Sequence, residues 1–300
     1  MIANPCSGRD NSPERLGSLL ASVREAEVHW TEGPGHARRL VREALARGVR
    51  RFVAAGGDGT VSEIAAGLAG APGEPLLGIL PFGTGNDLAR SLGVPLDLDR
   101  AARVLAEGRE RSIDLVRIDS ARRGLMVNAS VAGLGGDITS GLDHEMKRTW
   151  GPSVYLRMAL DNIASAGTFP ALLTLDGREM ELEVANVVIA NGIFLGGGIP
   201  VAPLARTDDG LLDVMILPAL SAVGLFGLVP WVLAGRQHLS RKVVHLRAAS
   251  VRVEAEVPMP VTIDGEPWGC GPVSYEVQPR ALRVLCPVHP SVIPVRYRLS

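Results

Sequence analysis

A chain of 300 residues, 46% apolar and 21% charged, with a formal net charge of -1, is long enough to bury a sizeable core and suits one large or two ordinary domains. Its even charge balance leaves no electrostatic case for nucleic-acid binding. The three cysteines, Cys6, Cys270 and Cys286, are far apart and show no CxxC spacing, which argues against a disulfide or zinc framework and for a reducing compartment.

The N-terminus, MIANPCSGRD, lacks the basic and then apolar regions of a signal peptide. Ser12-Pro13-Glu14 reads as a helix start, and ERLGSLLASVRE continues it. AEVHW is a short strand, HARRLVREALARG a helix ending at Gly48, and RFVAA a strand. A glycine loop, GGDGT (Gly56 to Thr60), leads into a helix expected from about Val61 to Leu68. LLGIL is a strand, followed by a second loop, FGTGND (Phe82 to Asp87), and a helix from about Asp87 to Ser91. Strands separated by helices of this length imply parallel pairing in a layered α/β domain.

From about Arg111 the pattern becomes strand after strand, from RSIDLVRID through REMELEVANVVIAN to ALRVLCP. LLTLDGREMEL is a hairpin with Asp176-Gly177 at its turn. This is a mostly antiparallel domain, with one helical insert at HEMKRTWGPSVYLRMALDNIASAG (residues 144–167). The expected division is an α/β domain over 1–110, rejoined by 290–300, and a β-sandwich over 111–289. Val214 to Gly235 has no charged residue and is long enough to span a bilayer. However, Pro218, Gly224, Gly227 and Pro230 divide it into a strand, LLDVMIL, and a helix opened by Ser221. That helix is either a buried core element or a greasy surface near a membrane.

Both glycine loops follow a strand and precede a helix. Glycines there let the backbone approach a ligand, and helix N-termini offer free N–H groups, so both loops favour phosphate. A bare carboxylate at Asp58 would repel phosphate, which implies a cation between them; Mg²⁺ uses carboxylates in this way. Thr60, Thr84 and Asn86 would then bond phosphate or ribose. The structural alternative is a pair of tight βα turns in which Asp58 caps a helix. LGGDIT (Leu134 to Thr139) imitates the first loop but lies in the β-rich half and lacks the Gly-Thr ending.

With these loops, NPCSG (Asn4 to Gly8), TEGPGHA (Thr31 to Ala37), NGIFLGGGIPVAPLARTDDGLLDV (Asn191 to Val214) and IDGE (Ile263 to Glu266) run through most of the chain. Together they resemble the bacterial diacylglycerol-kinase-type lipid kinases, related to sphingosine kinases and more distantly to NAD kinases. The resemblance implies an N-terminal α/β nucleotide domain, a C-terminal β-sandwich and an active site in the cleft between them. It implies that Asn4, Ser7, Gly8, Thr31, Gly56, Gly57, Asp58, Gly59, Thr60, Glu63, Gly83, Thr84 and Asn86 serve the nucleotide, ATP, with Asp58 acting on Mg²⁺. Glu266 matches the catalytic base, supported by Asp264. Asp209, with the carbonyls of Arg206 and Leu211, matches a second, structural Mg²⁺ site, and Asp114 with Arg9 an associated charge network. Cys6 occupies a variable position, and Arg9 stands where lysine is frequent. The first strand begins almost at its motif, so a few preceding residues are expected. His36 reads as a helix-start residue rather than a catalyst.

The expected activity is ATP- and Mg²⁺-dependent phosphorylation of a lipid hydroxyl, diacylglycerol among the candidates, by a cytoplasmic protein in transient peripheral contact with the inner membrane face. A homodimer is left open. Two alternatives stay open: an NAD kinase-like enzyme acting on a soluble nucleotide, and a catalytically inactive lipid-binding regulator.

Overall fold

The computed structural model describes residues 1–8, 13–20, 27–133, 168–218 and 220–288. Arg9, the LGGDIT segment, the 144–167 insert and the 290–300 tail lie outside the described residues. The described residues form two compact units, one within Met1–Leu115 together with 279–288, the other within Val116–Gln278.

The first unit begins β1 (Ile2–Ala3), α1 (Pro13–Leu20), β2 (His29–Trp30), α2 (His36–Ala46) and β3 (Arg51–Gly56). It continues through α3 (Asp58–Leu68), β4 (Leu76–Pro81), α4 (Asp87–Ser91) and α5 (Leu98–Glu107). Among its described residues β1 pairs parallel with β2 and β3, and β3 with β4, in the order β2-β1-β3-β4. β4 is buried along its whole length, as expected for a strand covered on both faces. Helix α3 begins at Asp58, three residues before the sequence-based start, so Asp58 opens a helix rather than lying in an open loop. Helix α5 was not anticipated. Its signals were present: Asp97 caps it by accepting from the Arg100 amide, and Ala101, Ala102 and Val104 face the core.

The chain crosses into the second unit along β5 (Arg109–Asp119). There follow β6 (Arg123–Met126), β7 (Ala129–Gly133), β8 (Phe169–Leu175), β9 (Arg178–Ala190), β10 (Phe194–Leu195), β11 (Ile199–Pro200) and β12 (Leu212–Pro218). After two short helices, α6 (Ala222–Phe226) and α7 (Val229–Leu233), come β13 (Val244–Ala248), β14 (Ser250–Ala255), β15 (Pro260–Ile263), β16 (Glu266–Cys270) and β17 (Val273–Cys286). β12 pairs antiparallel with β13 and β9, β14 with β17 and β8, β15 with β16 and β7, and β9 with β7 and β8. β9 is the spine: its first half pairs with β8, and its second half with β7 and β12. Two-residue turns at Asp176-Gly177 and Asp264-Gly265 have positive φ at both positions, the geometry that matches strand twist in a tight hairpin.

The core of this unit is built from inward residues such as Val116, Phe169, Leu173, Val187, Val214 and Tyr275. The fully buried Tyr275 hydroxyl is satisfied by Ser130 Oγ at 2.8 Å, and Ser130 donates to the Thr262 carbonyl at 2.7 Å. β17 splits between the units: its first half pairs with β14, while Arg283 and Val284 lie parallel to Leu76 and Leu77 of β4. The described return to the first unit is therefore made by ALRVLCP, which the sequence had placed wholly in the antiparallel domain. No described helix is long and apolar enough to cross a membrane. The charge-free Val214–Gly235 stretch divides into β12, α6 and α7, with Ser221 capping α6 by accepting from the Gly224 amide at 3.2 Å.

Candidate active site

In the first unit, register places the C-terminal ends of the parallel strands side by side: Ala3 beside Ala55 and Trp30, and Gly56 beside Pro81. The segments leaving those ends are the loops singled out in the sequence. This edge is the usual ligand position of a parallel sheet. The loops touch backbone to backbone. A Cβ on Gly83 would come within 2.4 Å of Gly57 Cα, and one on Gly8, whose φ is +71°, within 2.0 Å of the Phe82 carbonyl oxygen. Only glycine permits either approach.

Polar side chains then lock this arrangement. Asn4 Oδ1 accepts from the Cys6 amide at 2.9 Å, shaping the first turn, and Asn4 Nδ2 reaches the buried Thr60 Oγ1 at 3.4 Å. Thr31 follows β2, its amide donating to the Ala3 carbonyl. Ser7 closes the turn through its amide to the Asn4 carbonyl, and Thr84 is exposed at the tip of the second loop. Asn86, left-handed at φ +54° and buried, spends its side-chain amide on the Pro81 and Gly83 carbonyls. Its side chain thus shapes the second loop from within. Glu63 accepts from the Gly35 and Ala37 amides at 2.7 and 3.1 Å, anchoring the start of α2 and the TEGPGHA segment. His36 opens α2 and accepts from the Glu32 amide through Nδ1, as its helix-start reading expected.

Asp58 joins the two glycine loops. Its Oδ1 accepts from the Asp87 amide at 2.7 Å and the Leu88 amide at 3.4 Å, while the bare Cα of Gly85 leaves space for Oδ2. Asp58 is half-buried because α3 starts at it and α4 begins over it. Burial pushes its carboxyl pKa above the ordinary 3.8, and backbone hydrogen bonds from Asp87, Leu88 and Asn86 oppose that shift. A half-buried carboxylate with one oxygen bonded to amides and the other facing a glycine gap suits a divalent cation, which would offset the desolvation. Capping and cation binding are therefore compatible uses of this side chain. Arg90, which sequence reasoning missed although it follows directly in GNDLAR, donates from Nε to the Gly85 carbonyl at 3.0 Å and sets a cation beside the same loop.

In the second unit the IDGE segment is the β15–β16 turn. Asp264, at φ +50°, accepts from the Val127, Asn128 and Ala129 amides at 2.9, 2.8 and 3.1 Å. With three amides on its two oxygens, its carboxylate is committed to holding the β6–β7 connection. Glu266 opens β16 opposite Ile263, is exposed, and its carboxylate has no hydrogen bond or ion pair among the described residues. Its strand is clamped: Arg122 lies 3.7 Å over the Trp268 ring and donates to the Pro267 carbonyl, and Trp268 Nε1 donates to Ser120 Oγ. Gly124 gives the indole its space. Nothing in the local sequence signalled this clamp.

The expected second metal site has another partner. Asp209 accepts from the Leu211 amide at 3.3 Å and pairs with Arg247, while Arg206 pairs with Asp208 at 3.5 Å. Arg247 also approaches the fully buried Asp213, which bonds His245 Nε2 at 2.6 Å. A guanidinium neutralises Asp209 here, so these residues do not fit a cation without displacing Arg247. Among the described residues no cluster of three or more His, Cys, Asp or Glu side chains could hold a metal ion. Asp114 is fully buried and accepts from the Arg280 amide at 2.8 Å; its expected partner Arg9 lies outside the described residues.

A parallel α/β unit with paired glycine loops, followed by an antiparallel β-sandwich unit, defines a two-domain protein of the diacylglycerol kinase and NAD kinase fold. Residues 1–118 match the diacylglycerol kinase catalytic domain, and residues 130–286 the YegS C-terminal NAD kinase beta sandwich-like domain. A "Probable lipid kinase YegS-like" protein of Pseudomonas aeruginosa PAO1 is 36% identical over 93% of this chain and 92% of its own length. A solved diacylglycerol kinase from Bacillus anthracis str. Sterne is 27% identical, covers 97% of both chains and superposes with a TM-score of 0.76. An NAD kinase from Archaeoglobus fulgidus, solved in complex with ATP, is similar in fold alone: 14% identity and a TM-score of 0.50, over 94% of this chain and 91% of that one. The chain belongs to the bacterial diacylglycerol kinase-type lipid kinase family.

Proposed function

We propose that this lipid kinase uses ATP and Mg²⁺ to phosphorylate a lipid hydroxyl, with diacylglycerol the first acceptor to test. The carrying observation is Asp58: a half-buried carboxylate set where two glycine loops meet, with one oxygen held by backbone amides. Phosphoryl transfer is governed by positioning and charge neutralisation, so the chain must hold a triphosphate and present a base. Gly57 to Thr60 and Gly83 to Thr84 offer backbone amides to phosphate, and Asp58 and Arg90 order the loops that carry them. Bound Mg²⁺ would neutralise phosphate charge, with Asp58 as its protein carboxylate. Glu266, exposed and uncommitted, is the general base that takes the proton of the acceptor hydroxyl. Asp264 holds the turn on which Glu266 rides.

The test follows labelled phosphate from ATP into product, organic-soluble when a total lipid extract, diacylglycerol, phosphatidylglycerol or a sphingoid base is the acceptor, and water-soluble when NAD is. Label entering a lipid only when Mg²⁺ is present supports the reading. Label entering NAD alone would select the soluble-nucleotide alternative, and none from any acceptor the inactive lipid-binding one.

A further inference from the structure

Between Asp213 and Glu254 the sequence contains no acidic residue but five arginines and lysines. Arg247 pairs with Asp209, and Arg252 with Glu254. Arg236, Arg241 and Lys242 are exposed and have no carboxylate partner among the described residues. They lie among apolar side chains that face water. Val223 is 82% exposed, Phe226 61% and Leu233 62%, with Trp231 and Leu239 exposed beside them. Lys242 and the Arg236 backbone are tied to these helices, and Arg241 precedes Lys242 in the chain. Lys242 Nζ lies 3.4 Å from the Gly224 carbonyl of α6, and the Arg236 amide donates to the Trp231 carbonyl of α7.

The segment is fixed from below. Leu225 and Leu228 are buried, and the buried Gln237 donates to the Val201 carbonyl at 3.0 Å and to that of Pro200. The fold therefore anchors α6 through Leu225 and holds α7 by its flanking residues Leu228 and Gln237, and leaves large apolar groups, a tryptophan and a basic flank exposed.

We propose that this face docks onto an anionic lipid bilayer, with Phe226, Trp231 and Leu233 entering the headgroup boundary and Arg236, Arg241 and Lys242 meeting lipid phosphates. Its charge selects this occupant. Two copies meeting symmetrically through the same face would bring three cations of each chain against three of the other. A surface of phosphate headgroups neutralises them, and tryptophan suits the boundary between water and acyl chains. The docking needs no nucleotide, so its test reads separately from the kinase reaction.

The full chain should float with phosphatidylcholine vesicles containing phosphatidylglycerol, and far more weakly with phosphatidylcholine alone. Replacing Arg236, Arg241 and Lys242 by glutamine should weaken binding on the order of 100-fold, as expected for three basic contacts. Phe226→Ser with Leu233→Ser should abolish it, and brominated acyl chains should quench wild-type fluorescence but not that of Trp231→Phe. The charge variant alters only exposed side chains, so it decides the matter even if the serine variant fails to fold. Equal binding to neutral and anionic vesicles, or unchanged binding of the charge variant, would overturn the proposal. So would serine substitutions that turn a dimer into a monomer and leave vesicle binding intact. Phosphorylation of a short-chain, water-soluble diacylglycerol should be the same in the charge variant and wild type. Failure of that reaction in wild type would count against the kinase reading and leave docking standing.

Discussion

A half-buried carboxylate such as Asp58 destabilises a fold unless a partner offsets its charge, and here the amides of Asp87 and Leu88 do so only in part. The native carboxyl keeps its proton to a higher pH than the unfolded chain does. In metal-free protein its contribution to stability is therefore greatest at acid pH, and falls as pH rises from 3.8 through its raised native pKa. Asp58→Asn keeps an acceptor for the amides and removes the charge. In chelator at neutral pH it should melt no lower than wild type, and the fall across that acid window should flatten. Its phosphotransfer should nonetheless drop at least about 100-fold; wild-type turnover at saturating Mg²⁺ would remove Asp58 from the site. Glu266→Gln should cost about 10²–10⁴-fold in kcat and leave ATP affinity nearly unchanged in a binding titration. Because Arg247 already neutralises Asp209, Mg²⁺ without nucleotide should shift the melting temperatures of wild type and Asp209→Ala equally. A larger shift in wild type would restore the expected structural cation there.

Among the elements, the two aspartate-glycine hairpins use one device twice. The turn aspartate sits at positive φ, where glycine or a short polar residue is tolerated, and turns its carboxylate onto the backbone of a neighbouring segment. Asp176 takes the Ala249 and Ser250 amides; Asp264 takes those of Val127, Asn128 and Ala129. Asp264→Ala leaves three amides to water and places alanine in a left-handed position, so denaturant unfolding should show a loss of about 1–3 kcal/mol. Activity should fall with it, and Asp264→Asn, which keeps one acceptor and tolerates the turn, should restore part of both. The hairpins themselves were legible in the sequence, because the Asp-Gly pair alone selects the turn. The use of each carboxylate was not, because its partners lie far along the chain. Helix α3 shows the same limit: the glycines suggested a loop through Thr60, yet the helix starts at Asp58, where packing against the second loop organises the first turn.

For the molecule as a whole, a ligand that binds only the folded chain raises its stability, by about 2.7 kcal/mol at a hundred times its dissociation constant. ATP with Mg²⁺ should therefore raise the melting temperature, and Asp58→Asn should lose the part of that gain that depends on Mg²⁺. An equal gain in both proteins would place the cation elsewhere. The sequence by itself determined the alternation of strands and helices, the switch to an antiparallel domain, the glycine loops and the tight hairpins. Each follows from local chemistry: side-chain periodicity, the conformational range of glycine, the turn preference of Asp-Gly. Only the tertiary structure decided that Glu63 anchors α2, that Asp209 belongs to Arg247, and that β17 divides between two units. It also decided that Phe226 and Trp231 face water while Leu225 and Leu228, in the same apolar run, do not. A carboxylate accepts from whichever amide the fold brings to it, and an apolar side chain is buried only where another element covers it. Partners 26 to 137 residues away cannot be read from the residues on either side.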